Sequence, residues 1–169
     1  RYSSDGVFLY DRLNKSDMEM LELTIRCHNM YRIPQGLNRR EQAFCNVLRD
    51  ADKVDIFKVN IDTPLEEIYN TTTEELMKSD ITDEVLEAFG EEHCILKAIR
   101  RTPADTVIGH VSLAYELVYD ESVRITVEQG YLGKLMHFHS DNEETNRKMA
   151  MVREKMDSHV KKRIGKKDA

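Results

Sequence analysis

Signals that start helices recur along this chain, whereas residues that break helices are rare. Only 7 of the 169 residues are glycine and only 3 are proline, so long stretches carry no obstacle to helical hydrogen bonding. No segment shows a convincing alternation of apolar and polar residues with the period of a β-strand. The sequence therefore predicts an all-α protein, a single-domain bundle of about seven to nine helices.

Capping motifs predict where the helices begin. Ser16 with Glu19 predicts a capping box for a helix whose apolar face carries Leu21, Ile25 and His28. Later starts are predicted by Asn38 with Glu41, by Thr63-Pro64, by Thr82 and by Thr102-Pro103, and Gly90 predicts a helix end. The predicted helices lie at about 6–13, 17–29, 38–59, 103–118, 122–137 and 143–163, with two further starts at Thr63-Pro64 and Thr82, a loop at 31–37 and a basic tail up to residue 169.

Composition narrows the class of protein. At 40% hydrophobic and 33% charged residues, the chain suits one globular domain with its own core and solvated helix faces. A net charge of -6 argues against nonspecific binding to nucleic acid. The three cysteines form no CxxC pair, which favours a reduced, cytoplasmic protein. No apolar run approaches the length of a membrane span, so we expect no membrane partner.

The segment from Leu48 to Phe57 carries the strongest functional signal, because it threads three carboxylates and two cations through an apolar helical pattern. Asp52 shares a helix face with Leu48 and Ile56 at a spacing of four residues. A carboxylate on an apolar face is costly unless a cation or a metal compensates its charge. Two explanations stay open at this point: Asp52 is a metal ligand, or it is a structural carboxylate that pairs with Arg49, with Lys53 or with a distant helix terminus.

The same segment, Arg49-Asp50-Ala51-Asp52-Lys53-Val54-Asp55, resembles the last metal-ligand motif of HD-domain phosphohydrolases. It is most similar to bacterial members with an RDADKLD-like segment. In those proteins a histidine-containing helix and an Ile-Pro loop come first, as Ile25–Asn29 and Ile33-Pro34 do here. The region from 102 to 130 also looks like the tail of that subfamily. The resemblance covers roughly residues 16 to 150.

The resemblance implies an HD-domain-like helical fold and a metal-dependent phosphohydrolase. It assigns Asp52 as a metal ligand and catalytic residue, and His28 as a catalytic residue lining the same pocket. Arg49 and Lys53 would bind the substrate phosphate. The implied cofactor is a divalent metal (Mn, Mg, Co, Ni or Fe), and the implied substrate is a phosphorylated small molecule or a nucleotide. Asp50 and Asp55 would orient a ligand or cap a neighbouring helix.

The chain departs from the family pattern at one point. The family's defining histidine and His-Asp doublet should precede His28, but no histidine does, and no His-Asp pair occurs anywhere. We therefore expect one HD-like domain over residues 1–169, corresponding to the C-terminal part of a longer protein and inactive by itself. Two alternatives remain: a degenerate HD module that binds a nucleotide or a protein without catalysis, and a helical scaffold in which Asp52 is fully ion-paired. The other five histidines are expected to be surface or packing residues: His93, His110, His137, His139 and His159.

Overall fold

The computed structural model describes residues 13–165. Of these residues 73% are helical and none is in a β-strand, which confirms the all-α prediction. The helix predicted at 6–13 lies outside the described residues except for Leu13, which is a bend. The α-helices of this part of the chain are α1 (Lys15–Cys27), α2 (Arg39–Asp62), α3 (Leu65–Tyr69), α4 (Thr73–Lys78), α5 (Asp83–Gly90), α6 (Pro103–Val111), α7 (Asp120–Gln129), α8 (Tyr131–Met136) and α9 (Glu143–Ile164). Two 3-10 helices span Lys97–Ile99 and Ser112–Glu116. No helix between residues 13 and 165 is both long and apolar enough to cross a membrane.

The chain divides into two compact units, and the division falls inside α2, between Asp52 and Lys53. The described part of the first unit consists of α1, a loop at residues 28–38 and the first half of α2. Asn38 starts α2 as predicted: its side chain accepts hydrogen bonds from the backbone N–H groups of Arg40 and Glu41, and the Glu41 carboxylate accepts one from the Asn38 N–H at 2.9 Å. This cap fixes the point at which the loop becomes helix.

Two details of α1 differ from the sequence prediction. The residue that caps α1 is Asn14, whose side chain accepts a hydrogen bond from the Asp17 N–H at 2.9 Å, so the predicted Ser16 capping box is wrong. The buried residues of α1 are Thr24 and Cys27, whereas Ile25, expected on the apolar face, is 50% exposed. The buried side of α1 is therefore rotated from the predicted one.

The second unit is built around α6, which is buried along most of its length. This helix packs against α3, α4, α5 and α8, while α9 packs against α5, α7 and α8. Apolar side chains from these helices, from the second half of α2 and from the segments between helices form one continuous core. Its largest fully buried members are Phe57, Phe89, Leu76, Ile81, Ile95, Ile108, Met149 and Met156.

Several helix boundaries in the second unit follow the predicted signals, and others need correction. The helix predicted at 103–118 is α-helical only to Val111 and continues as the 3-10 helix Ser112–Glu116, and the sequence did not predict α4. Thr102 and Asp105 form the capping box of α6, with Pro103 in its first turn. The predicted helix at 122–137 is wrong as a continuous element, because Gly130 has a φ of 73° and separates α7 from α8. Before α3 the cap position is Pro64 rather than Thr63, and it provides no side-chain hydrogen bond.

Candidate functional site

The charged segment of α2 is buried in a different pattern from the one that its apolar residues predict. Arg49, Asp50 and Lys53 are almost fully buried, with 6%, 2% and 6% of their surfaces exposed. Asp52 is half-buried and Asp55 is exposed. The exposure of these charged side chains therefore differs from one position of α2 to the next. The carboxylate of Asp52 is partly shielded from solvent but still accessible.

Arg49 is tied to the backbone of the first unit. Its guanidinium donates to the carbonyl oxygens of Cys27 at 3.4 Å and Tyr31 at 3.3 Å, and to that of Met30 between them. These carbonyls surround the end of α1, so the guanidinium holds the chain that follows α1 against α2. These three contacts of Arg49 are all with backbone carbonyl oxygens, and its binding of a phosphate stays a prediction.

His28 lies in that tethered segment, at the C-cap of α1. Its ring is half-buried, and its Nδ1 lies 2.6 Å from the carbonyl oxygen of Ile25. A carbonyl oxygen can only accept a hydrogen bond, so Nδ1 carries the proton and Nε2 of the neutral ring keeps its lone pair. This arrangement, one ring nitrogen bonded to a backbone carbonyl and the other left as a donor atom, is typical of histidines that bind metals.

Arg49 links the segment around His28 to the part of α2 that carries Asp52. The carbonyls that the guanidinium binds flank His28 on both sides, and Asp52 lies three residues after Arg49 on α2. Positions three apart lie on neighbouring parts of a helix surface. The first unit thus holds the histidine segment beside the region of α2 that carries Asp52, and an approach of the two side chains stays a prediction.

Lys53 belongs to the second unit. Its charge acts on the thiol of Cys94, where it lowers the pKa, although burial of that thiol has the larger effect and raises the pKa. A buried thiol with a raised pKa is a poor nucleophile. Between residues 13 and 165, no group of three or more His, Cys, Asp and Glu side chains is arranged to hold a metal ion.

A second polar cluster lies in the second unit and connects Asn60, Tyr69 and His110. The Asn60 Nδ2 donates to the carbonyl oxygen of Ile56 at 2.8 Å, which fixes the orientation of the amide. The Asn60 Oδ1 then accepts from the Tyr69 hydroxyl at 3.0 Å and from His110 Nδ1 at 2.6 Å. His110 therefore carries its proton on Nδ1, and its Nε2 is a hydrogen-bond acceptor.

His110 stays neutral because of its surroundings. Burial is the main cause that lowers its pKa to about 4, and the positive charges of Arg100 and Lys97 lower it further. Burial likewise lowers the pKa of Arg100. The sequence predicts a packing or surface position for His110 and assigns no role to Arg100. No local motif could have indicated the cluster, because its members come from α2, α3 and α6.

No protein-family model, curated protein or solved structure matches this chain.

Proposed function

We propose that this chain is part of a metal-dependent phosphohydrolase of the HD type, with an HD-domain-like helical fold. In this proposal Asp52 and His28 contribute ligands to a divalent metal, and the reaction is hydrolysis of a phosphoester, with nucleotides among the candidate substrates. The proposal starts from the resemblance of Arg49–Asp55 to the family's last metal-ligand motif.

The 2.6 Å contact between His28 Nδ1 and the Ile25 carbonyl oxygen is the observation that carries the proposal. With Nδ1 held by the Ile25 carbonyl, the Nε2 lone pair is the ring's only donor for a cation. The carboxylate of Asp52 is a suitable second ligand, since imidazole and carboxylate together accept Mn, Fe, Co and Ni, and carboxylate also suits Mg. In the proposal these two residues supply half of a metal site, and the family's upstream histidine and His-Asp motifs supply the other ligands.

Arg49 has a positioning role in this proposal, and the substrate-binding role that the resemblance implies for it stays a prediction. Its three backbone contacts hold the segment around His28 in place. If these contacts were lost, the main effect would be that the segment around His28 is no longer held in position. The metal, when bound, would supply Lewis-acid activation of water and of the phosphoester.

The test uses the protein extended upstream to include the family's histidine and His-Asp motifs. Its hydrolysis of nucleotides and simple phosphoesters would be measured with Mn, Mg, Co, Ni and Fe(II). We expect metal-dependent turnover that falls by about 100-fold or more in Asp52→Ala and His28→Ala, because each removes a metal ligand. Asp62→Ala is the matched control, since it removes an exposed carboxylate from the last turn of α2 and should keep its activity.

Equal turnover by wild type and Asp52→Ala would contradict the assignment of Asp52. A metal-loaded wild type that binds a nucleotide but hydrolyses no substrate would indicate the alternative, a degenerate HD module that acts by binding. An Arg49→Lys variant separates the two roles of Arg49. A positioning role predicts weaker metal binding, whereas a substrate role predicts an increase in KM with unchanged metal affinity.

A further inference from the structure

Arg100 is partly buried in the second unit, and no acidic residue in the described part of the chain pairs with it. It lies directly after the 3-10 helix at Lys97–Ile99, and its Nη2 donates to the carbonyl oxygen of Ile95. The Nε is enclosed and has no hydrogen-bond partner among the described residues. No carboxylate of residues 13–165 forms an ion pair with Arg100. A guanidinium that is partly removed from water and lacks a counter-charge is costly.

The backbone of α6 accommodates this guanidinium at Gly109. A Cβ atom added to Gly109 would overlap both Cζ and Nε of Arg100. The side chain therefore packs flat on a position where only glycine leaves room. This packing places the charge of Arg100 next to His110, the following residue of α6.

His110 and Lys97, which lie near Arg100, also have polar atoms that make no hydrogen bond or ion pair with described residues. Its Nε2 is an acceptor, because Nδ1 is committed to Asn60, and it makes no hydrogen bond with a described residue. Lys97 is exposed, makes no ion pair within the described range, and lies close enough for its charge to act on His110. Two cations without acidic partners among the described residues thus lie near one neutral acceptor.

We propose that Arg100, Lys97 and the Nε2 of His110 form a binding site for a monoanionic phosphoryl group. The Arg100 Nη1 and the Lys97 ammonium donate to the phosphoryl oxygens, and a P–OH group donates to His110 Nε2. The ligand class is inorganic phosphate or a phosphomonoester, for which arginine and lysine are the usual partners. The site lies wholly in the second unit, so it does not depend on the proposed role of Asp52.

The experiment is a calorimetric titration of the 169-residue protein with inorganic phosphate at about pH 5.5, where the monoanion predominates. Saturable binding to one site is expected. The most specific variant is Gly109→Ala, which changes no charge but forces the Arg100 guanidinium out of its position. We expect at least about tenfold weaker binding in this variant, because it loses charge-assisted hydrogen bonds. Gly133→Ala in α8 is the matched control, since nothing lies within 4 Å of the added Cβ.

A surface variant keeps the test valid if Gly109→Ala unfolds. Lys97→Gln should weaken phosphate binding, whereas Lys58→Gln, an equal charge change at an exposed position of α2, should not. In NMR titrations, phosphate should raise the pKa of the His110 imidazole, because the bound anion favours its protonated form. The Asp52→Ala variant should bind phosphate with the same affinity as wild type. This result would show that phosphate binding does not depend on the proposed metal site.

Two results would overturn the inference. The first is the absence of saturable phosphate binding by the folded wild type. The second is equal weakening by Lys97→Gln and Lys58→Gln, which would indicate only general attraction between the anion and the protein's cations.

Discussion

At the scale of single residues, hydrogen bonds to fixed acceptors determine which atoms are available for chemistry. His28 and His110 both carry the proton on Nδ1, because a backbone carbonyl binds one ring and an oriented amide binds the other. Both therefore offer Nε2 to a ligand. Their surroundings differ, since Arg100 and Lys97 add positive charge near His110. The same side chain is thus proposed to bind a cation in the first unit and a proton-bearing anion in the second.

His110 should make the stability of the protein depend on pH. Its pKa is about 4 in the folded protein, against 6.5 for the ordinary side chain. Between these values the unfolded chain binds a proton that the folded chain does not, so the free energy of unfolding should decrease as pH falls from about 6.5 to 4. The slope that this group contributes is at most about 1.4 kcal/mol per pH unit. Urea unfolding at several pH values would measure it.

The control for that measurement is His110→Gln, which cannot titrate. Other groups contribute to the pH dependence as well; for example, the pKa of His93 is raised by its hydrogen bond with Glu91, which acts in the opposite direction. These contributions are common to both proteins and cancel in the comparison. Identical pH slopes for wild type and His110→Gln would contradict the prediction.

At the scale of elements, a buried carboxylate joins the starts of two helices. Asp105, fully buried in the first turn of α6, accepts hydrogen bonds from the backbone N–H groups of Thr82 at 2.8 Å, Arg101 at 2.9 Å and Thr102 at 3.1 Å. Thr82 is the cap residue of α5. One carboxylate thus satisfies donors at the beginning of both α5 and α6, which fixes the two helices relative to each other.

Asp105→Ala should be strongly destabilising. The substitution leaves several backbone N–H groups without their acceptor, and each buried unsatisfied donor costs about 1–3 kcal/mol. We expect the free energy of unfolding to fall by about 3 kcal/mol or more, measured by chemical denaturation. Asp157→Ala, at an exposed position of α9, should change it by less than about 0.5 kcal/mol. A loss at Asp105 no greater than at Asp157 would show that the shared carboxylate does not support these helices.

At the scale of the whole molecule, α2 belongs to both compact units, because the division falls within this helix. In the first unit it provides Arg49 and Asp52. In the second it provides Phe57 to the apolar core and Asn60 to the His110 cluster. The proposed metal ligand Asp52 and the amide that orients His110 therefore come from different halves of the same helix.

We predict that the 169-residue chain binds divalent metals only weakly. One histidine and one aspartate leave most coordination positions of a cation without a protein ligand, and tight binding requires more. Calorimetry with Mn and Zn should show low affinity, reduced further in Asp52→Ala. Tight binding of one ion per chain would mean that additional residues complete a site, for which Asp50 is the first candidate to substitute.

The sequence alone determined the helical character of the protein and many helix boundaries, because these depend on local features. The capping signals at Asn38 and Thr102 and the stop at Gly90 act within one turn of the chain. The misplaced start of α1 shows the limit of such signals, since Asn14 and Ser16 compete for the same cap within two residues. The break at Gly130 was missed because a glycine between two apolar helices is also compatible with a continuous one.

Only the tertiary structure decided which of these residues meet, since burial and hydrogen bonding depend on neighbours that are distant in sequence. Spacing along α2 placed Asp52 on an apolar face, but Asp50 and Arg49 are the more deeply buried residues. The contacts of Arg49 with the loop after α1 and the cluster of Asn60, Tyr69 and His110 join residues 9 to 50 positions apart. Such contacts leave no local pattern in the sequence. Each partner is compatible with its own helix, and the pairing is fixed only when the helices pack together.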